Sequence, residues 1–214
     1  MRSGTDGPVA PTSGTAHRSG TLAGAAMPIR VDAYIDGGVA SGLLARSGRL
    51  REVLEADGQL VLERVRWQPR DGPAAATPAD LTIPIDDLLI AVADDDPSIP
   101  VHASWHAIRL EVGPYLVEGD MPTLPGFDPG RALTRPTGEF VLLRGVRIGL
   151  LGDPAGLAPA PTGHHALINR YVVERVEADL MLGFFFPGAT QSDIDSESTP
   201  EPRPTDARAP AAGA

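Results

Sequence analysis

Cysteine is absent from the 214 residues. Disulfides, thiolate metal sites and cysteine nucleophiles are thereby excluded. Lysine is absent as well: all 18 basic residues are arginine, against 28 acidic ones, and the net charge is −10. Aromatic residues make up only 5% of the chain, so any core must be built mainly from aliphatic side chains. No apolar run approaches the roughly 18 residues that a membrane span needs. The first residues lack the apolar stretch of a secretory signal. No G-x-S-x-G elbow, P-loop or dinucleotide fingerprint occurs. Together these absences lead to the expectation of a soluble, acidic, cytoplasmic protein with no membrane partner.

Glycine and proline are abundant, at 24 and 22 residues. Arginine without lysine, amid much Ala, Gly and Pro, reads as a GC-rich coding bias. Residues 1–26 carry almost no large apolar side chain and cannot bury enough surface to offset their ordering entropy. Met27 is a candidate alternative start. The chain after Pro187 turns to Ser, Thr, Pro, Glu, Asp and Ala. The expected organisation is a disordered tail over 1–26, a first β repeat over 28–98, a second over 99–187, and a disordered acidic, Pro-rich tail over 188–214. The first tail carries +1 and the stretch from 189 carries −3, which leaves −8 on the core. That charge disfavours nucleic acid, whose binding rests on basic patches.

The core has the period of β-structure. Ile29, Val31, Ala33 and Ile35 alternate with Arg30, Asp32 and Tyr34, which predicts a strand with one wet face. Asp36-Gly37-Gly38 is a hairpin signal, and Val39–Leu44 returns. The spacing then changes: Leu50, Val53 and Leu54 predict a two-turn helix over 49–56, stopped at Asp57-Gly58. Gln59–Gln68 reads as a third strand. Leu81–Ile85 and Leu88–Ala93 read as one strand broken at Asp86-Asp87.

The second half repeats this order. Ile108-Arg109-Leu110-Glu111 echoes Ile29-Arg30-Val31-Asp32, 79 residues on. Leu116-Val117-Glu118-Gly119 echoes Val39-Ala40-Ser41-Gly42 at 77, which implies a hairpin two residues shorter. Gly138–Leu142 echoes Gly58–Leu62 at 80, with Gly145 inserted as a bulge before Val146-Arg147-Ile148. Ala166–Val173 echoes Ile83–Ile90 at 83. The expected fold is therefore mainly β with one or two short helices: two similar ββ(α)ββ units packed as a pseudo-twofold sandwich or barrel-like pair. Pro125–Pro136 keeps at most one helical turn, around Arg131–Leu133.

The repeat unit resembles a family of small single-copy bacterial β domains of unknown function. The family pattern is a charged strand, a hairpin into an aliphatic-acid-Gly step, Arg-Leu-x-acid-x-Leu, and a strand of aliphatic and aromatic residues. Arg49-Leu50-Arg51-Glu52-Val53-Leu54 carries the middle element, and Glu55 stands where the family usually has Asn. The likeness covers the larger part of each half and implies a tandem version of that domain. The whole core also resembles conserved hypothetical proteins of GC-rich bacteria. Neither resemblance brings an activity.

Few residues suggest chemistry. His102 and His106 form H-x-x-x-H, but the segment leads into a strand and lacks the Glu of a zincin motif. On a strand, residues four apart lie about 13 Å from each other, too far to share one metal. His164-His165 follow a loop signal, and neighbouring side chains on an extended chain point to opposite faces. Asp86-Asp87 and Asp94-Asp95-Asp96 lack calcium-loop spacing and read as solvated strand ends. Gly126–Gly130 reads as an ordered loop. No catalytic, metal or cofactor residue is assigned.

Leu180–Pro187 (LMLGFFFP) is the strongest apolar cluster. It either seals the core or offers Leu182, Phe184, Phe185 and Phe186 as an interaction patch for a protein partner or self-association. The expected function is a non-catalytic interaction or scaffold module. The alternatives are an enzyme with a His/Asp site, or a nucleic-acid-binding small barrel. The last requires Arg30, Arg64, Arg66, Arg109, Arg144 and Arg147 to gather on one face.

Overall fold

The opening alternation becomes strand β1 (Arg30–Ile35), which turns at Asp36-Gly37 into β2 (Gly38–Leu44). The computed structural model describes residues 28–72, 78–95, 97, 99, 102–123, 138–153, 155–182 and 185–193. Helix α1 (Leu50–Asp57) follows, then β3 (Gln59–Pro69), β4 (Asp80–Pro84), a 3₁₀ turn over Ile85–Asp87, and β5 (Ile90–Ala93). The second run comprises β6 (Ser104–Val112), β7 (Tyr115–Thr123), β8 (Phe140–Leu150), β9 (Ala158–Pro159), β10 (His165–Asn169), β11 (Val173–Ala178) and β12 (Thr190–Ser192). The protein is mainly β, and the 12 strands among the described residues belong to one sheet. Among the described residues, no helix is long and apolar enough to cross a membrane. The tails 1–26 and 194–214, and the 125–136 segment with its Gly126–Gly130 loop, lie outside the described residues.

The helix forms where the spacing placed it. Leu50, Val53 and Leu54 are buried in the first core. Asp95 Oδ2 accepts the Leu50 N–H at 2.9 Å, satisfying one of the donors left open at a helix N-terminus. Gly58, at φ 62°, ends the helix by donating to the Leu54 carbonyl.

The strand order is β12-β11-β6-β7-β8-β10-β5-β1-β2-β3-β4, with β9 added to β8. The segment read as one broken strand is in fact two strands at opposite edges of the first group. β4 pairs with β3, while β5 pairs with β1. The turn at Asp86-Asp87 carries the chain across, because so short a connection requires the two edges to lie close together. The five-stranded group is therefore rolled up around its core.

Two apolar cores result, and the strands between them serve both. Ala91, Ala93, Phe140, Leu142 and Leu167 face the core that holds α1. Ile90, Val92, Val141, Leu143, Ala166 and Ile168 alternate with them and face the other core. The two groups thus roll onto opposite faces of β5, β10 and β8. The β5–β10 pairing continues the sheet from strands of 28–98 to strands of 99–187.

The paired registers revise the sequence alignment of the halves. Both hairpins turn on two residues: Ile35 pairs with Gly38, and Val112 with Tyr115. The second hairpin is therefore not shorter, and counted from the turns Ile108 holds the place of Val31. Both groups shift register at the same step, between Ser41 and Leu43 and between Glu118 and Asp120, and the second group shifts once more at β11, between Val173 and Arg175. Opposite the first two shifts sit two residues with positive φ, Arg64 at 53° and Gly145 at 61°. The bulge is present twice, and counting it once displaced β8 by one residue, which reverses every side chain. Leu60 and Leu62 correspond to Val141 and Leu143, the residues that face the second core.

The LMLGFFFP segment divides, with Met181 69% exposed. Leu182 and Phe186 are completely buried in the second core, and Phe185 packs partly buried against it. Leu182 and Phe186 are thereby removed from any surface patch; Phe184 lies outside the described residues. The stretch expected as a tail from 188 opens with a short strand. Thr190–Ser192 pairs parallel with β11, and the Gln191 amide bonds to Leu182 N (2.8 Å) and Leu180 O (2.5 Å).

Candidate functional site

Antiparallel pairing places partner residues on the same face of a sheet. Asp32 is opposite Ser41, and Ser41 is opposite Arg66, so the three form a row across β1, β2 and β3. Tyr34, Val39 and Gln68 form the next row. This is the face that the alternation marked as wet. It is not wet at β1: Asp32 is 3% exposed and Tyr34 7%. The second group covers it with Tyr115, Ile148, Leu150 and Pro161, leaving a cleft of about 320 Å³ between floor and wall. A neighbouring hollow of about 200 Å³ continues past Asp32 to Thr162, Arg30 and Arg64.

Asp32 is the unusual member. Its carboxylate accepts from the Thr162 hydroxyl. Among the described residues this is its one hydrogen-bond donor, and no arginine forms an ion pair with it. An anionic carboxylate has about four acceptor sites, and a buried charge without a counterion is costly. The two phenols beside it are held neutral. Burial first, then the charge of Asp32, push Tyr34 well above the ordinary phenol range. Tyr115 is pushed up to about 12 by burial, with Arg70 opposing and Asp36 adding. The Tyr115 hydroxyl donates to the carbonyls of Ile35 (2.9 Å) and Gly38 (3.1 Å), fastening the wall to the floor.

The corresponding face of the second group is different. There Glu118 lies between Arg109 and Arg147 and pairs with both. Arg109 also reaches Glu177, Arg175 reaches Glu111, and Arg144 pairs with Asp120 while stacking 3.7 Å over Trp105. This is a solvated ion-pair ladder. In the first group Ser41 stands where Glu118 stands, and Asp32 where Arg109 stands. The smaller Ser41 opens the hollow, and Arg66 loses the carboxylate that Arg147 has. Arg64 occupies a left-handed backbone position that its counterpart Gly145 takes freely. For a non-glycine residue that conformation costs about 1–2 kcal/mol.

The six arginines of the nucleic-acid reading therefore divide. Arg30, Arg64 and Arg66 border the hollow beside the cleft, and Arg66 the cleft itself, whereas Arg109, Arg144 and Arg147 are engaged with acids. The histidines do not converge. His106 Nε2 is 2.9 Å from Thr123 Oγ1, His102 is in the turn before β6, and His164 is exposed. His165 borders a separate hollow of about 160 Å³ under α1, floored by Ala91, Ala93, Leu142 and Leu167. Among the described residues, no three His, Asp or Glu side chains are placed to hold a metal. The acidic run is a set of caps: Asp94 accepts from Arg30 N (2.7 Å) and Asp95 caps α1, while Asp86 and Asp87 sit exposed in the 3₁₀ turn. Asp96 lies outside the described residues.

Asp32, Tyr34, Ser41 and Tyr115 went unmarked as site residues in the sequence, and Arg66 was singled out only for nucleic acid. The available signal was Tyr34, an aromatic on a supposedly wet face. No protein-family model, no curated protein and no solved structure matches this chain.

Proposed function

We propose that this chain is a non-catalytic binding module: a tandem of two copies of one small β unit, kin to the single-copy domains it resembles, with its ligand held in the cleft between the copies. The observation that carries the reading is the buried Asp32 carboxylate, which opens on the cleft without a counterion among the described residues. Ligand sites favour such clefts between packed units.

The duplication draws support from the two-residue turns and from the bulge that recurs at Arg64 and Gly145. Every strand of the second copy runs opposite to its counterpart, and the junction joins β10 to β5, which are not counterparts. The copies are thus related by a half-turn combined with a shift. One copy contributes the floor of the cleft and the other its wall.

The catalytic alternative is weaker, because the residues bordering the cleft include no histidine and its phenols stay protonated. The protein-partner alternative loses Leu182 and Phe186 to the core.

A thermal-shift screen of the full chain against a panel of small metabolites tests the proposal, with Ser41→Trp filling the cleft as the control. At least one compound is expected to raise the Tm of the parent protein and not of the variant. A panel without effect, or one acting equally on both, overturns the reading.

A further inference from the structure

From the same cleft, and resting on the binding reading above, we infer that the ligand is a small zwitterion of the α-amino acid type, its ammonium on Asp32 and its carboxylate on Arg66. The two ends of the cleft demand opposite charges. At one end Asp32 is 3% exposed and takes a single hydrogen bond, from Thr162, so it has acceptor sites for further donors. A primary ammonium supplies three donors and the missing positive charge. Tyr34, which borders the same space, offers an aromatic ring, and a cation near such a ring is attracted to its face.

At the other end Arg66 faces the cleft and the hollow beside it, with no ion pair among the described residues. A guanidinium is suited to two-point contact with a carboxylate. Arg64 borders the same hollow and adds to the positive field there. Its left-handed backbone, at φ 53°, is the kind of local strain that tends to persist where a side chain is used. Asp32 and Arg66 are two strands apart, about 9–10 Å between their backbones, and both side chains rise from the same face of the sheet. A small molecule that carries both charges can lie across the row between them. Ser41, between them, contributes a hydroxyl where the second copy has Glu118. A ligand with only negative charge would meet Asp32, and one with only positive charge would meet Arg64 and Arg66.

The test is calorimetric titration of the full chain with each of the twenty protein α-amino acids, with the matching 2-hydroxy acid and decarboxylated amine as controls. At least one amino acid is expected to bind, with both controls at least tenfold weaker. Arg66→Gln, at an exposed position, should fold normally and lose at least tenfold in affinity. Asp32→Asn should lose binding of the amino acid while narrowing the gap to the hydroxy acid. If Asp32→Asn does not fold, Arg66→Gln and the two ligand controls decide. Equal binding of the hydroxy acid, or unchanged affinity in Arg66→Gln, overturns the inference. So does the absence of binding by all twenty. If another compound raises the Tm of the parent protein and not of Ser41→Trp, the binding reading stands while the zwitterion falls.

Discussion

The Tyr115 hydroxyl donates to the Gly38 carbonyl at 3.1 Å, and the two residues hold the same place in their respective hairpins, first after the turn. The counterpart of a glycine in one group is thus the aromatic that fastens the other group to it. The same ring meets Tyr34 edge-on, with centroids 5.3 Å apart and planes at 88°, an arrangement favoured by the quadrupoles of the two rings.

Tyr115→Phe keeps the edge-on contact and removes both hydrogen bonds. Stability should fall by about 1–2 kcal/mol, since the Ile35 and Gly38 carbonyls lose a buried donor. Urea denaturation measures the change. A loss no larger than scatter would mean that the hydroxyl does not hold the groups together.

Alkaline pH should act through the same residue. Its folded pKa of about 12 exceeds the ordinary value of 10, so the neutral form is favoured in the fold. The contribution is complete below pH 10, declines as the unfolded chain ionises, and is gone once pH passes about 12. The loss should reach about 2 kcal/mol, with Tyr34 acting in the same direction. Tyr115→Phe should be less sensitive over this interval when stability is followed by circular dichroism.

Leu54→Ala should cost about 2–5 kcal/mol, because Leu54 is fully buried where α1 meets the first core. Phe186→Ala should cost about 3–5 kcal/mol at the other core. Comparable losses at these two sites by denaturant titration would show that both cores contribute to a single unfolding transition. Two separate transitions would show that the shared strands do not couple them.

Arg64→Gly should raise stability by about 0.5–1 kcal/mol, since glycine adopts φ 53° without the steric penalty. Gly145→Ala, at φ 61°, should lower it by a similar amount. If both substitutions prove neutral, the bulge carries no strain.

Glu118→Gln should change stability by less than about 1 kcal/mol and the effect should shrink with added salt, because its ion pairs with Arg109 and Arg147 are partly exposed. A larger, salt-independent loss would mean that the ladder is a structural core element.

Local pattern was enough for the elements themselves. Alternation in Ile29–Ile35 marked β1, the Leu50, Val53 and Leu54 spacing marked α1, and Gly58 marked its end. Each depends on interactions within a few residues, which the order of side chains encodes directly. Sequence also carried the order of strand and hairpin signals in each half, but not the strand register. A bulge adds a residue without altering composition, so the similar places of Arg64 and Gly145 are visible only in backbone φ and strand pairing.

The partition between surface and interior was decided by tertiary structure. A strand's own alternation separates two faces but does not say what covers each one. Asp32 and Tyr34 lie on a charged, alternating face and are buried nonetheless, because Tyr115 and Pro161, at least 80 residues away, close over them. The split of Leu81–Ala93 into β4 and β5 has the same origin: its two pieces pair with β3 and β1 at opposite edges of a sheet that has rolled up. Sequence marked the strands and the helix with strong local patterns, but not β9 or β12, whose two and three residues are strands only through their partners. Long-range pairing alone determined which faces meet, and with them the cleft, because the energy of burial belongs to a contact between distant segments and to neither segment by itself.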